Sequence, residues 1–162
     1  HEDIAVSSFV DASVVELMNT LSSTPYAGSN EDFVGMVGVS STPTAIPDEF
    51  IKFAAMGQSI QMSCDSPGGT FIGSQVALGV QFFQNGFPPF SPLPGLHLNQ
   101  FGFGASVLSQ IPAMPPGGST VGLPVPAGLS GLHLLIQWIA LNPVLSNNGI
   151  GAFADAHEVR FI

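Results

Sequence analysis

The sequence predicts an all-β fold: an antiparallel β-sandwich or jelly-roll-like single domain with at most one short helix. The first observation is that apolar and polar residues alternate in short segments, because the side chains of a half-buried strand point alternately to core and solvent. The second is the number of turn formers, 19 Gly and 14 Pro among 162 residues, which fits many short strands. The third is the length, which suffices for one domain with its own core.

The clearest strand prediction is residues 59–64, in which Ile60, Met62 and Cys64 share one face. Residues 65–69 contain Pro and two Gly and therefore predict a turn. Similar alternation, or an apolar run of strand length, predicts further strands at residues 33–39, 74–84, 96–98, 119–125, 133–142, 150–153 and 156–162.

The amino-terminal segment leaves two alternatives open. Residues 13–21 are the one helix candidate, since Ser13 and Glu16 match the capping-box pattern, but two adjacent Val residues fit a strand equally well. Residues 1–30 are therefore predicted to form the first strands of the sandwich or an arm exchanged with a neighbouring subunit by strand addition. Residues 31–162 are predicted to form the β-sandwich domain.

The charge composition excludes two classes of partner. The chain contains one Lys, one Arg and a total of eleven Asp and Glu residues, which gives a formal net charge of −9. Binding to nucleic acid and attraction to an anionic membrane both require several cations, so neither is predicted. No uninterrupted apolar run approaches the ~18 residues of a transmembrane helix, so membrane insertion is not predicted.

The charges are also unevenly distributed along the chain. Residues 66–154 contain no Asp, Glu, Lys or Arg. Because the cores of protein interfaces are depleted in charge, this stretch predicts a surface that meets another subunit. The alternative, a surface solvated by Ser, Thr, Asn and Gln, stays open.

Two stretches resemble a known kind of domain. Residues 55–71, and residues 123–132 followed by Gln137-Trp138 and residues 141–143, resemble uncharacterised secreted bacterial β-sandwich domains. The resemblance concerns turns and core over most of the chain after residue 30, and it implies a sandwich and secretion but no activity. The usual Asp after the Gln-aromatic strand is Asn142 here, so a potential metal ligand is missing. Low charge and only two trypsin-type cleavage sites favour the same secreted or cell-surface location.

The histidines suggest two metal sites, each with a simpler interpretation. His1 fits the amino-terminal copper ligand of lytic polysaccharide monooxygenases, with His97, His133 or His157 as the second ligand. The chain has one Cys and no flanking motif of those enzymes, so a processed terminus or a tag explains His1 more simply. His97 and His133 lie in the same tetrapeptide, Gly-Leu-His-Leu, and would share a metal if their strands paired; local hydrogen bonds explain them more simply.

Acidic residues in predicted loops are candidate calcium ligands, because calcium is bound by several carboxylate and carbonyl oxygens. These candidates are Glu31, Asp32, Asp48, Glu49 and Asp65. No EF-hand spacing is present, and solvated surface charge is the alternative. Calcium is the one cofactor that the sequence allows, and none is required.

The sequence does not predict an enzyme. A glycosidase needs two carboxylates across a cleft, but carboxylates are missing from most of the second half. No Gly-x-Ser-x-Gly motif occurs, and no basic residue adjoins Cys64 to lower the pKa of its thiol. Cys64 is instead predicted to be a small core residue.

The predicted function is a secreted, non-catalytic structural subunit that self-assembles as a fibre, tube or surface layer through a neutral β-surface. The strand at 133–142 is apolar on both faces, so it is either central and covered on both sides or lines a contact. The predicted contact residues are apolar positions of this strand and Phe residues of Gly/Pro-rich loops: Leu135, Ile139, Leu141, Phe87, Phe90, Phe101 and Phe103. The alternative is a calcium-assisted extracellular binding module for carbohydrate or protein, although the chain has only one Trp and one Tyr on which a sugar could stack.

Overall fold

The computed structural model describes residues 26–29, 31–40, 50–99 and 105–162. Within these ranges the chain is all-β, as predicted, and contains no helix. The strands are β1 Val34–Val39, β2 Ile51–Ala54, β3 Ser59–Asp65, β4 Gln75–Gln84, β5 Ala105–Ile111, β6 Ser119–Pro124, β7 Leu132–Leu141, β8 Ala152–Phe153 and β9 His157–Phe161.

The strands form two sheets that pack as a β-sandwich. The smaller sheet has the order β1-β3-β6, and the larger has the order β2-β9-β7-β4-β5, with the short β8 paired to β7. All pairs are antiparallel except β2 and β9, where Ile51 lies opposite Glu158. This parallel pair departs from the antiparallel prediction. Parallel neighbours need a crossover connection, and here most of the sandwich lies between β2 and β9 in the sequence.

The main core lies between the two sheets and follows the predicted alternation. Ile60, Met62 and Cys64 of β3 point into it, together with Ile136 and Trp138 of β7. All five side chains are almost completely buried. Burial raises the pKa of the Cys64 thiol to about 11, so this Cys is a neutral core residue, as predicted.

A second core covers the outer face of the larger sheet. Leu96 and Leu98 pack there with Leu135 of β7, and Phe153 and Ala156 complete the cluster. Strand β7 lies between β9 and β4 in the sheet and is therefore central and covered on both faces, which decides between the two alternatives that its apolar pattern left open.

The strand prediction for residues 96–98 is wrong. The alternating Leu residues cover the larger sheet, while the backbone bonds to side chains rather than to another strand. The His97 amide donates to Gln137 Oε1 at 2.8 Å, and the Asn99 amide donates to Gln81 Oε1 at 2.8 Å.

The described end of the predicted amino-terminal segment contacts the same outer face. Ala156 N donates to Tyr26 O at 2.9 Å, and Ser29 N donates to Phe153 O at 2.8 Å. The helix candidate at 13–21, and with it the choice between first strands and an exchanged arm, lies outside the described residues.

Candidate interaction surface

Carboxylates in the described ranges serve mainly as internal hydrogen-bond acceptors. Each of them accepts at least one hydrogen bond from the protein: Glu31, Asp32, Asp65, Asp155 and Glu158. They therefore fasten loops and turns.

Asp32 fixes the turn that follows β3. Its Oδ2 accepts from Ser66 Oγ at 2.7 Å and from Thr70 N at 2.9 Å, while Oδ1 accepts from Gly68 N at 2.7 Å. These hydrogen bonds, led by those from Gly68 and Thr70, hold the pKa of the Asp32 carboxyl well below its ordinary value. Both oxygens of this calcium candidate are thus engaged by the turn.

The other calcium candidates are placed separately. Glu31 Oε1 accepts from Asn147 N at 2.5 Å, and Asp65 Oδ1 accepts from Ser66 N at 2.8 Å. Asp48 and Glu49 lie outside the described residues. Within the described ranges no three His, Cys, Asp or Glu side chains are grouped to hold a metal ion. Calcium binding stays a prediction.

A buried polar cluster on the outer face of the larger sheet was not predicted from the sequence. Glu158 of β9 is 3% exposed. Its Oε2 accepts from the Tyr26 hydroxyl at 2.7 Å, and its Oε1 accepts from Arg160 Nε at 2.6 Å and lies 2.8 Å from His133 Nδ1. The cluster joins β9, β7 and the segment before β1. The one available signal was a Glu and an Arg two positions apart in a predicted strand, which places opposite charges on the same face.

Burial alone would raise the pKa of the Glu158 carboxyl, but hydrogen bonds from Arg160 and Tyr26 and the charge of Arg160, with a smaller contribution from His133, hold it below its ordinary value. Burial and the hydrogen bond to Glu158 raise the pKa of the Tyr26 phenol. Glu158 is therefore an ionised acceptor near neutral pH, and Tyr26 a neutral donor. The geometry of the cluster joins β9, β7 and the segment before β1.

The three described histidines have separate partners. His97 Nε2 donates to Ala27 O at 2.7 Å, whereas His133 contacts Glu158. His157 is 1% exposed, stacks on Phe50 and donates from Nε2 to Gly35 O at 3.1 Å. His97 and His133 thus have different partners, and a metal shared by the two stays a prediction. His1 lies outside the described residues.

The two rings on which a sugar could stack are both committed to the fold. Trp138 is 1% exposed in the main core, and Tyr26 is half-buried against Glu158. Carbohydrate stacking on either ring would therefore require the covering residues to move.

The side of the sandwich where β5 and β6 lie is open in the described structure. Strand β5 is an edge of the larger sheet and pairs only with β4, while β6 is an edge of the smaller sheet and pairs only with β3, as far as the described residues show. The opposite edges, β1 and β2, contact each other on the other side. Among the described residues, one side of the molecule thus presents two unpaired strand edges.

An apolar groove of about 460 Å³ lies between these two edges, and we call it the open-edge groove. All of its lining residues are uncharged. Representative members from four strands are Val80 and Phe82 of β4, Leu108 of β5, Leu123 of β6 and Leu134 of β7. The groove arises because the larger sheet has more strands than the smaller one, so part of its inner face has no opposing strand among the described residues.

Apart from one β-bulge, strand β5 lacks the usual protections of an edge strand. Natural edge strands carry Lys, Pro or inward-pointing charges that block pairing with another chain. Strand β5 contains none of these, and Val107 and Leu108 are 59% and 38% exposed. A bulge opposite Leu78 and Gly79 is its one irregularity.

The structure places some of the predicted contact residues on the surface and others in the interior. Phe87 and Phe90 are each 76% exposed, and Leu141 at the end of β7 is also exposed. Leu135, by contrast, is fully buried under Leu96 and Leu98, so this prediction is corrected: the residue belongs to the second core. Ile139 is partly buried in the same cluster. Phe101 and Phe103 lie outside the described residues.

Two comparisons with known proteins found no match. No protein-family model matches the chain, and no curated protein matches it. In the ranges that the structure describes, no helix is long and apolar enough to cross a membrane.

Proposed function

We propose that this protein is a non-catalytic structural subunit that associates with copies of itself through the open side of the sandwich. One observation carries the proposal: two uncharged strand edges, β5 and β6, flank an apolar groove on the same side of the molecule. The proposal keeps the secreted location that the sequence predicts.

The chemistry of an open edge favours a strand from another chain. The edge presents backbone N–H and C=O groups in a row, and a second strand satisfies them while its side chains fill the adjacent groove. Leu108 and Phe82, which are 38% and 40% exposed at the groove, would be removed from water by such pairing. Since the lining is uncharged, burial would not require any charge to be desolvated.

The position of the two edges favours a two-fold arrangement. If β5 of one copy paired with β6 of another, a two-fold axis would form the same contact twice and make both sheets continuous across the pair. This pairing closes on itself and gives a dimer. A fibre, tube or layer would then need a second contact, for which the exposed Phe87 and Phe90 are the candidates.

The experiment compares two Lys substitutions by light scattering over a concentration series. Leu108→Lys places a charge in the groove, and Val144→Lys places the same charge on a residue that is 89% exposed in the loop after β7. We expect the wild-type chain and Val144→Lys to associate alike, and Leu108→Lys to weaken association at least tenfold, which corresponds to about 1.4 kcal/mol.

Urea unfolding of both variants shows whether each still folds. A wild-type particle that stays monomeric at every concentration would overturn the proposal. Equal weakening by the two substitutions would overturn the assignment of the interface to the groove.

A further inference from the structure

The chain contains two Asn-Gly pairs, Asn85-Gly86 and Asn148-Gly149. Asn-Gly is prone to spontaneous deamidation because Gly has no Cβ to hinder its own backbone nitrogen. That nitrogen attacks the Asn Cγ, loses its proton to solvent and displaces the side-chain nitrogen, which leaves as ammonia. Water then opens the resulting succinimide at either carbonyl, giving aspartate or isoaspartate.

The fold holds Asn148 in an unreactive arrangement. Its Oδ1 accepts from Ile150 N at 2.8 Å and from Gly151 N at 3.0 Å, and its Nδ2 donates to Gly151 O at 2.9 Å. The attacking nitrogen, Gly149 N, itself donates to Ser146 O at 3.3 Å. The carboxamide cannot rotate toward Gly149 N without losing the three side-chain hydrogen bonds of this Asx-type turn.

Asn85 lies in a different environment. It is exposed in the turn after β4, where Phe87 N donates to Gln84 O at 3.1 Å and Gly86 has a φ of 84°. In the described structure its side chain makes no hydrogen bond. Its carboxamide can therefore rotate freely and sample the geometry of attack by Gly86 N.

We propose that Asn85 is a site of spontaneous deamidation and that the fold protects Asn148. The only co-reactant is water. The product is a carboxylate within residues 66–154, which otherwise carry none, and it lies two residues from the exposed Phe87. Deamidation at Asn85 would thus add a charge beside one of the apolar loops of this molecule.

The test follows both sites in one sample of the full-length chain. The native protein is incubated at mildly alkaline pH, digested with chymotrypsin and analysed by mass spectrometry, with a parallel incubation in urea. We expect Asn85 to convert at least ten times faster than Asn148 in the native protein, and the two rates to become similar in urea, where the turn around Asn148 is lost. Asn85→Gln identifies the contribution of this site to the change in intact mass.

Two results would overturn the proposal. One is a native protein in which Asn148 converts as fast as Asn85. The other is an Asn85 that stays intact in the native protein while it converts readily in urea, because that would show that the fold protects Asn85 as well.

Discussion

Two regions of the larger sheet differ in the burial and bonding of their polar side chains. Above β7 and β9 the outer face carries His133, Gln137 and Glu158, all buried and all bonded to loops or neighbouring strands. At the other end, β5 carries only neutral side chains, of which Val107 and Leu108 are exposed. The region whose polar side chains are buried and bonded is covered, and the region whose side chains are neutral and largely exposed is open among the described residues.

This difference shows what a buried polar side chain contributes to a covered sheet. Gln137 accepts from His97 N and donates to Gly95 O and to Ala154 O, so one amide fixes two loops in place. Apolar burial alone would hold these loops without specifying where they lie, whereas hydrogen bonds impose a position. Strand β5 has no equivalent side chain, which is consistent with its open edge.

The largest expected effect comes from removing the centre of the covered region. Glu158→Ala leaves Tyr26 and Arg160 without their common acceptor and His133 without its neighbour, and loss of one partner from a buried charged cluster costs about 3–5 kcal/mol. Glu31→Ala removes a carboxylate that accepts from Asn147 N near the surface, and we expect a cost below about 1 kcal/mol. Urea unfolding measures both free energies. Equal losses of unfolding free energy would show that the buried cluster stabilises the fold no more than the surface hydrogen bond of Glu31 does.

The second-largest expected effect is a pH dependence of stability that arises from the buried His157. Burial, more than the charge of Lys52, lowers the pKa of His157 from 6.5 to about 4, although its hydrogen bond to Gly35 and the charge of Asp155 act in the opposite direction. Between these values the unfolded chain binds a proton that the folded chain does not. The stabilisation is therefore complete above pH 6.5 and is lost as the pH falls toward 4.

The full loss from His157 amounts to roughly 3 kcal/mol, since one pKa unit corresponds to about 1.4 kcal/mol. Urea unfolding at several pH values measures it. His157→Phe keeps an aromatic ring on Phe50 but cannot titrate, so its stability should change much less between pH 6.5 and 4. A wild-type slope that survives in His157→Phe would assign the pH dependence to other groups.

The sequence predicts this fold well where one face of a strand is buried and the period of two is unbroken, as in β3. It failed for β2 because Ile51 and Phe53 point outward there, so the apolar pattern does not mark the buried face. It failed for β5 because the bulge near Leu108 breaks the alternation. Alternation also misled at residues 96–98, whose Leu side chains cover a sheet without forming a strand.

The polar clusters could not be predicted, because their members are distant in sequence. Tyr26 and Glu158 meet only after β9 has paired with β7, a pairing that also places His133 opposite Arg160. The same holds for the open-edge groove, which depends on the two sheets having different widths. The uncharged stretch predicted a neutral surface, but which part of it is open depends on topology.

The smallest expected effect compares a glycine under the loop that covers the larger sheet with a glycine of β6 at the open side of the sandwich. Gly79 is buried in β4, and a Cβ built there lies 2.3 Å from Leu98 Cδ1, so Gly79→Ala must displace the buried Leu98 side chain and should cost about 1–3 kcal/mol. Gly122 is exposed in β6, where a Cβ would lie 3.2 Å from the movable end of Gln61. Gly122→Ala should therefore be neutral or stabilise by up to about 1 kcal/mol, because Ala loses less backbone entropy than Gly. Thermal and urea unfolding measure both changes. If Gly79→Ala were tolerated as well as Gly122→Ala, Leu98 would not be held tightly against β4. The larger sheet would then not be firmly covered at this position, and the contrast with the open side would not hold there.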